Sequence, residues 1–298
     1  MSGFELERYL AERRALVDAA LERSLPPEEA PPFSIHRAMR YSVMAGGKRL
    51  RPILVIAGAE AVGGRAEMVL PTACALELIH TYSLIHDDLP AMDDDDYRRG
   101  RLTSHKVFGE ALAILAGDAL LTLAFRLVAD NAAQASDPGV IAAVVTEIAT
   151  AAGTRGMVGG QVVDIESEGK SVTPETLDYI HTHKTAALIR ASLRAGAMLA
   201  GAEPAVLGAI SAAGERLGLA FQIVDDILDV EGSLEQLGKT AGSDVRKQKA
   251  TYPALHGLDD SHRRARALIE EAQTALKPLG SRAQPISALA DFIVERRS

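Results

Sequence analysis

The sequence predicts an all-α protein. Three observations carry that expectation. Ala, Leu, Glu and Arg fill long stretches at helical spacing, β-branched alternation over strand lengths is scarce, and proline- or glycine-rich punctuation falls between the stretches. The pattern accommodates about ten or more helices. No low-complexity linker or shift in composition marks a boundary, so residues 1–298 read as a single domain.

Taken in order, the N-terminal residues Met1-Ser2-Gly3-Phe4-Glu5-Leu6 lack the basic-then-apolar order of a secretory signal. Pro31-Pro32-Phe33 followed by Ser34 marks a helix start with Ser34 as its cap, and Gly46-Gly47 closes that helix. Lys48, Arg49 and Arg51 follow the glycine turn, and Pro52 opens the next helix. Backbone N–H groups at a helix start, flanked by such bases, form an anion site. Leu76 to Leu89 reads as an apolar helix stopped by Pro90. Ala111 to Ala129 is the most apolar stretch, but Asp118 and Arg126 interrupt it, and no membrane span is expected. Thr173, Pro174 and Glu175 combine an N-cap, a first-turn proline and a first-turn acid. Gly214 to Val230 has no helix breaker in its later part and reads as one continuous helix. Glycines at 153, 156, 159, 160, 196 and 218 suit close helix packing.

Forty acids against 32 bases give a net charge of -8, which argues against a nucleic-acid partner. Cys74 is the only cysteine, so no intramolecular disulfide forms and a reducing compartment is the simpler reading. The expectation is a soluble cytoplasmic protein without a membrane partner.

Two acidic clusters carry the chemistry. The first runs from Asp87-Asp88 to Asp93-Asp94-Asp95-Asp96 and directly precedes Arg98, Arg99 and Arg101. Asp87 and Asp88 fall at a helix C-terminus, where the macrodipole disfavours negative charge by roughly 0.3–1 kcal/mol per group. Nothing in folding rewards this placement; a bound cation would. The second is Asp225-Asp226-Ile227-Leu228-Asp229. Asp225 and Asp229 share a helix face at i, i+4, a repulsive spacing, and Gln222 lies one turn before Asp226. Solvated acidic loops are the alternative for both. The apolar flanks, Leu76 to Ile85 and Leu217 to Val224, argue against it. Hard oxygen ligands point to Mg²⁺ completed by water and substrate phosphate. The bases at 48–51 and 98–101, with Lys184 and Lys239, suggest one phosphate site bridged by metal and another held by bases alone.

In that order these residues resemble the short-chain trans-prenyl diphosphate synthases, closest to the bacterial farnesyl diphosphate synthase type. The matching elements are Gly46-Gly47-Lys48-Arg49-Leu50-Arg51-Pro52, Asp87 to Asp93, Arg98-Arg99-Gly100, Gly159-Gly160-Gln161 with Asp164, Lys184-Thr185, and Phe221-Gln222 with Asp225 to Asp229. The resemblance implies a helical bundle around a deep central pocket, the isoprenoid synthase fold, in a homodimer. It implies that Asp87, Asp88, Asp93, Asp225, Asp226 and Asp229 face Mg²⁺, three ions per site. Arg98, Lys184 and Lys239 would hold the allylic diphosphate. Lys48, Arg51, His80 and Arg99 would hold isopentenyl diphosphate, and Thr185 and Gln222 would line the reaction centre. His80 read alone is as easily a core histidine; lying two turns before Asp87 on the same face places it in the pocket.

The implied reaction ionises an allylic diphosphate and adds isopentenyl diphosphate head to tail. Tyr82 and Ser83 lie five and four residues before Asp87, about 6 to 7.5 Å back along the helix. Tyr82 is a bulky floor for a farnesyl tail, unless it is ordinary core. Geranyl- and geranylgeranyl-forming relatives stay open. A terpene cyclase would need neither 46–52 nor Arg98-Arg99, and a non-catalytic subunit would be expected to lose acidic residues that are intact here.

Overall fold

The computed structural model describes residues 4–134, 137, 139–231 and 251–295. Lys239, Lys249, Arg296 and Arg297 lie outside them. The described helices are α1 (Leu6–Ser24), α2 (Phe33–Val43), α3 (Leu50–Ala61), α4 (Leu70–Asp87), α5 (Ser104–Phe108), α6 (Glu110–Asp130), α7 (Gly139–Ala152), α8 (Met157–Ser167), α9 (Pro174–Ile180), α10 (Ala187–Leu199), α11 (Pro204–Glu231), α12 (Tyr252–His256), α13 (Leu258–Leu276) and α14 (Gln284–Glu295). Strands are confined, among the described residues, to a hairpin pairing Tyr97 with Leu102 and Arg98 with Arg101. The expected all-α class is what is found.

Two apolar clusters form the core. One gathers α1, α2, α4, α6 and α7, the other α11, α13 and α14. The middle helices α3 and α10 supply both. Val55 and Ile56 face the first cluster while Ile53 and Leu54 face the second, so α3 is buried on every side from Pro52 to Ala59. The two helices cross at their backbones. A β-carbon at Gly58 would stand 2.1 Å from the Leu193 carbonyl, and one at Gly196 would stand 1.8 Å from that of Val55. The packing reading of Gly196 is therefore correct.

Local expectations fare unevenly. Thr173 caps α9, accepting from the Thr176 amide at 3.3 Å. Ser34 is not a cap: α2 begins at Phe33 behind Pro32, with no side-chain cap. Pro52 sits inside the first turn of α3, which begins at Leu50. The expectation that no stretch can span a bilayer is corrected. By length and composition 66–87, 110–133 and 139–167 all qualify. Interruption by Asp118 and Arg126 is too few charges to disqualify the second of them. In the first, 67% of the apolar window is buried inside the protein, against 39% and 33% in the others.

Candidate active site

Asp87 is the last residue of α4. Beyond Pro90 the chain folds back, with the Asp93 amide donating to the Asp87 carbonyl (2.8 Å) and the Asp94 amide to that of Leu89 (3.1 Å). This turn returns Asp93 to the helix end, beside Asp87. Asp88 turns inward and is nearly buried. Its Oδ1 accepts from Arg98 Nε (3.0 Å) and from Arg98 Nη2. Burial raises the Asp88 carboxyl above its ordinary pKa, while Arg98 pulls the other way.

Arg98 and Arg101 close the hairpin around Arg99-Gly100, both at positive φ (53° and 74°), as a two-residue turn of matching twist requires. The turn aims the Arg99 guanidinium at the Gly46-Gly47 loop, where Nη1 donates to the Gly46 carbonyl. Gly47 has no room for a side chain, since a β-carbon there would meet Arg99 Cζ at 2.7 Å.

The three bases after that loop do not act alike. Arg49 adopts a left-handed conformation (φ 51°) and points into the interior. Its Nε donates to Asp18 (2.8 Å), Nη1 to Glu77 (2.7 Å) and Nη2 to the Val43 carbonyl (2.8 Å). It anchors the loop and is removed from the anion site that the sequence suggested. Arg51 instead faces a cavity, and its buried Nε has no hydrogen-bond partner. Burial lowers the pKa of Arg51 and of Arg99, against the pull of Glu77. Lys48 lines a separate apolar cavity of about 280 Å³ with Leu10, Phe221 and Leu289.

The second cluster lies inside the continuous helix α11, as expected. Asp226 is buried and accepts from Gln222 Nε2 (2.9 Å) and the Tyr252 amide (2.8 Å), with His181 Nε2 at 3.2 Å. A carboxylate only accepts, so it fixes the Gln222 amide with its oxygen turned to Thr185, whose hydroxyl donates at 2.7 Å. Lys184 and Thr185 lie on a π-helical turn, His181–Ala186, between α9 and α10. Such turns are rare and concentrate at functional sites. Two glycines let neighbours reach it: a β-carbon on Gly160 would stand 2.2 Å from the Lys184 amide, and one on Gly218 2.4 Å from Ala186 Cα. Lys184 Nζ donates to Asp164 at 2.6 Å.

A cavity of about 420 Å³ connects the C-terminal half of α4, the start of α3, α8 and the π turn. Asp87, Lys184, Thr185, Arg51 and His80 line it, with Tyr82 and Ser83. Burial, reinforced by Arg51, Arg99, Arg98 and Arg49, holds His80 well below its ordinary pKa, so the imidazole is neutral. Ser83 donates to the His80 carbonyl (2.9 Å) within its own helix.

Among the described residues no three carboxylate, imidazole or thiol groups converge to enclose an ion. The donor set nevertheless fits Mg²⁺, which takes one or two carboxylates and completes its shell with water and phosphate. Asp87 supplies a hard oxygen on the cavity wall. Asp88 and Asp226, also expected to face the metal, have as partners Arg98 for the first and Gln222, His181 and Tyr252 for the second.

Three residues escaped assignment in the sequence. Gln161 lines the cavity with a buried carbonyl oxygen that lacks a partner, Asp164 holds Lys184, and His181 reaches Asp226. Gln161 and Asp164 were visible beside Gly159-Gly160 but carried no charge pattern to assign them a role. His181 gave no signal, because the π turn alters its facing.

Residues 33–280 match the model of the polyprenyl synthetase family. The chain belongs to that family. Dimethylallyltranstransferase of Fischerella ambigua is 52% identical over 98% of this chain and 84% of that protein. Farnesyl diphosphate synthase of Geobacillus stearothermophilus is 45% identical over 99% of both. The solved geranylgeranyl pyrophosphate synthetase of Pyrococcus horikoshii superposes with a TM-score of 0.88 at 34% identity, covering 98% of each chain. This polyprenyl synthetase has the isoprenoid synthase fold and is a prenyltransferase of isoprenoid biosynthesis.

Proposed function

We propose that the enzyme joins isopentenyl diphosphate to dimethylallyl or geranyl diphosphate in the presence of Mg²⁺ and releases farnesyl diphosphate. The observation that carries this reading is a cavity lined by Asp87 and Lys184 together with Tyr82, which stands five residues before Asp87 on α4. Mg²⁺, when bound, neutralises the leaving diphosphate and so eases cleavage of the allylic C–O bond. Asp87, Asp93, Asp225 and Asp229 are the carboxylates we assign to it. Asp88 and Asp226 act one step removed, orienting Arg98 and Gln222.

Lys184 binds the allylic diphosphate, and Lys239 and Arg98 assist it. Arg51, Arg99 and neutral His80 take isopentenyl diphosphate, and Lys48 turns from the neighbouring cavity to join them. An anion there relieves the unmet Nε of Arg51 and the crowding of its charge against Arg99. Thr185 keeps its oxygen lone pairs directed at the reaction centre because its proton is committed to Gln222. The Gln161 carbonyl adds a second oxygen dipole. Both stabilise the allylic cation by preorganised electrostatics. Loss of a proton to the departing diphosphate completes the condensation, and Met157, Val158 and Val162 give the same cavity an apolar side for the hydrocarbon tail.

The farnesyl assignment rests on Tyr82, a bulky and nearly buried side chain on the wall of the same cavity as Asp87. Geranylgeranyl synthesis is the second reading, favoured by the 49% identity to geranylgeranyl diphosphate synthase of Cyanophora paradoxa. A homodimer in the cytoplasm completes the proposal. Ile114 and Leu115, 42% and 53% exposed on α6, are the apolar surface offered to the second copy. Purified protein with Mg²⁺, labelled isopentenyl diphosphate and each allylic diphosphate tests the function. A dominant C15 product is expected, and Tyr82→Ala should release C20 or longer chains. A C20 product from the unaltered enzyme selects the second reading; no condensation rejects both.

A further inference from the structure

We propose that His86 and Gly117 gauge the tail channel together with Tyr82, so that product length is set at the crossing of α4 and α6 and not by Tyr82 alone. The inference rests on the prenyltransferase reading above. His86 lies one turn after Tyr82 on the same face of α4, and both side chains line the cavity. A tail running back from Asp87 therefore passes His86 before it meets Tyr82. The two rings meet edge to face, with centroids 5.7 Å apart at 79°.

The place of the His86 ring is dictated from α6. Its Nε2 lies 3.1 Å from the Ile114 carbonyl, which can only accept, so Nε2 carries the proton and donates. The ring fills the space that a side chain on Gly117 would need. A β-carbon there would stand 2.1 Å from Nε2 and 2.6 Å from Cδ2. No real contact is that short, so any residue larger than glycine displaces the imidazole. With α6 behind it, the ring moves toward the cavity and Tyr82. Gly117 thus acts as a positioning residue through His86, and His86 presents the surface that the tail touches.

Three variants separate this from a merely structural role. Gly117→Ala drives the ring into the channel and shortens the chain. His86→Ala removes the ring and its brace on Tyr82, and lengthens it. In the double variant G117A/H86A the shortening disappears, because the ring that the added methyl group would displace is gone. The experiment incubates the parent and all three with Mg²⁺, labelled isopentenyl diphosphate and dimethylallyl diphosphate, resolves the chain lengths, and checks folding by circular dichroism. The expected result is a main product one C5 unit shorter for G117A, one or more units longer for H86A, and no shorter than the parent's for the double variant. Unchanged lengths in H86A overturn the inference even when G117A fails to fold. Equal shortening in G117A and the double variant overturns it as well. A parent that condenses nothing instead defeats the prenyltransferase reading and this inference with it.

Discussion

Asp88 and Asp226 occupy equivalent places, each the second aspartate of its cluster and each nearly buried, yet their surroundings differ in kind. Asp88 faces a guanidinium. Asp226 is held by a side-chain amide and a backbone N–H, with an imidazole alongside. Their positions explain the difference. Asp88 caps the C-terminus of α4, where the helix dipole adds negative potential, and a full positive charge offsets it. Asp226 sits inside α11, more than a turn before its last described residue, Glu231, and so outside the last turn where the dipole is felt, and directional donors suffice. The same acidic motif is thus stabilised by charge at one wall of the cavity and by hydrogen bonds at the other. The first arrangement orients an arginine; the second orients the Gln222–Thr185 pair.

The largest effect tests whether the two walls contribute equally. Asp87→Ala and Asp225→Ala are each expected to lower kcat by about 10²–10³ with the fold intact. Steady-state kinetics showing near-normal turnover in either variant breaks the symmetry of the clusters. Stability then separates the inner aspartates. Asp88→Ala removes the buried partner of Arg98, leaves it Asp95 at 3.4 Å, and should cost about 3 kcal/mol, the low end for a broken buried pair because 28% of the Arg98 side chain stays exposed and a second carboxylate remains. Asp226→Asn exchanges an acceptor for a donor beside the Gln222 and Tyr252 N–H groups and should cost about 1–2 kcal/mol. Urea unfolding of both variants checks the order; a reversal would refute the contrast between charge and hydrogen bonds.

The smallest effect is a pH dependence arising on α4. His80 has its folded pKa depressed, so it stays neutral where the unfolded chain takes up a proton. Stability is therefore complete above the ordinary histidine value of 6.5 and falls as pH drops below it, by at most about 1.4 kcal/mol per pH unit. His80→Gln should flatten the urea midpoint over that range. An equally steep decline in the variant would trace the effect elsewhere.

Much of this was legible in the sequence, for reasons that particular residues make plain. The clusters at 87–93 and 225–229 stood out because carboxylates against apolar flanks violate a simple burial rule. Helix α11 was readable because nothing breaks it. Arg49 misled because a run of bases carries no sign of which one enters the core; only its left-handed backbone and the acceptors at Asp18, Glu77 and Val43 reveal that. The partners of Asp88 and Asp226 were hidden for a related reason. A motif specifies spacing, while the partner that claims each oxygen comes from a hairpin or helix distant in the chain. His86 and Gly117 were invisible as a pair, since one lies on α4 and the other on α6.

The π turn at His181–Ala186 works as a register between two lengths of helix. Its closing bond runs from the Ala187 amide to the Thr182 carbonyl, one residue longer than the α-helical span. Deleting a residue there would let α9 and α10 merge into a regular rod with better-aligned backbone bonds. The rod would also rotate one half against the other by about 100°. Either His181 would leave Asp226 or Lys184 would leave Asp164. In this stretch, then, chain length is itself a functional property: a one-residue gap would be well tolerated by folding and poorly by chemistry.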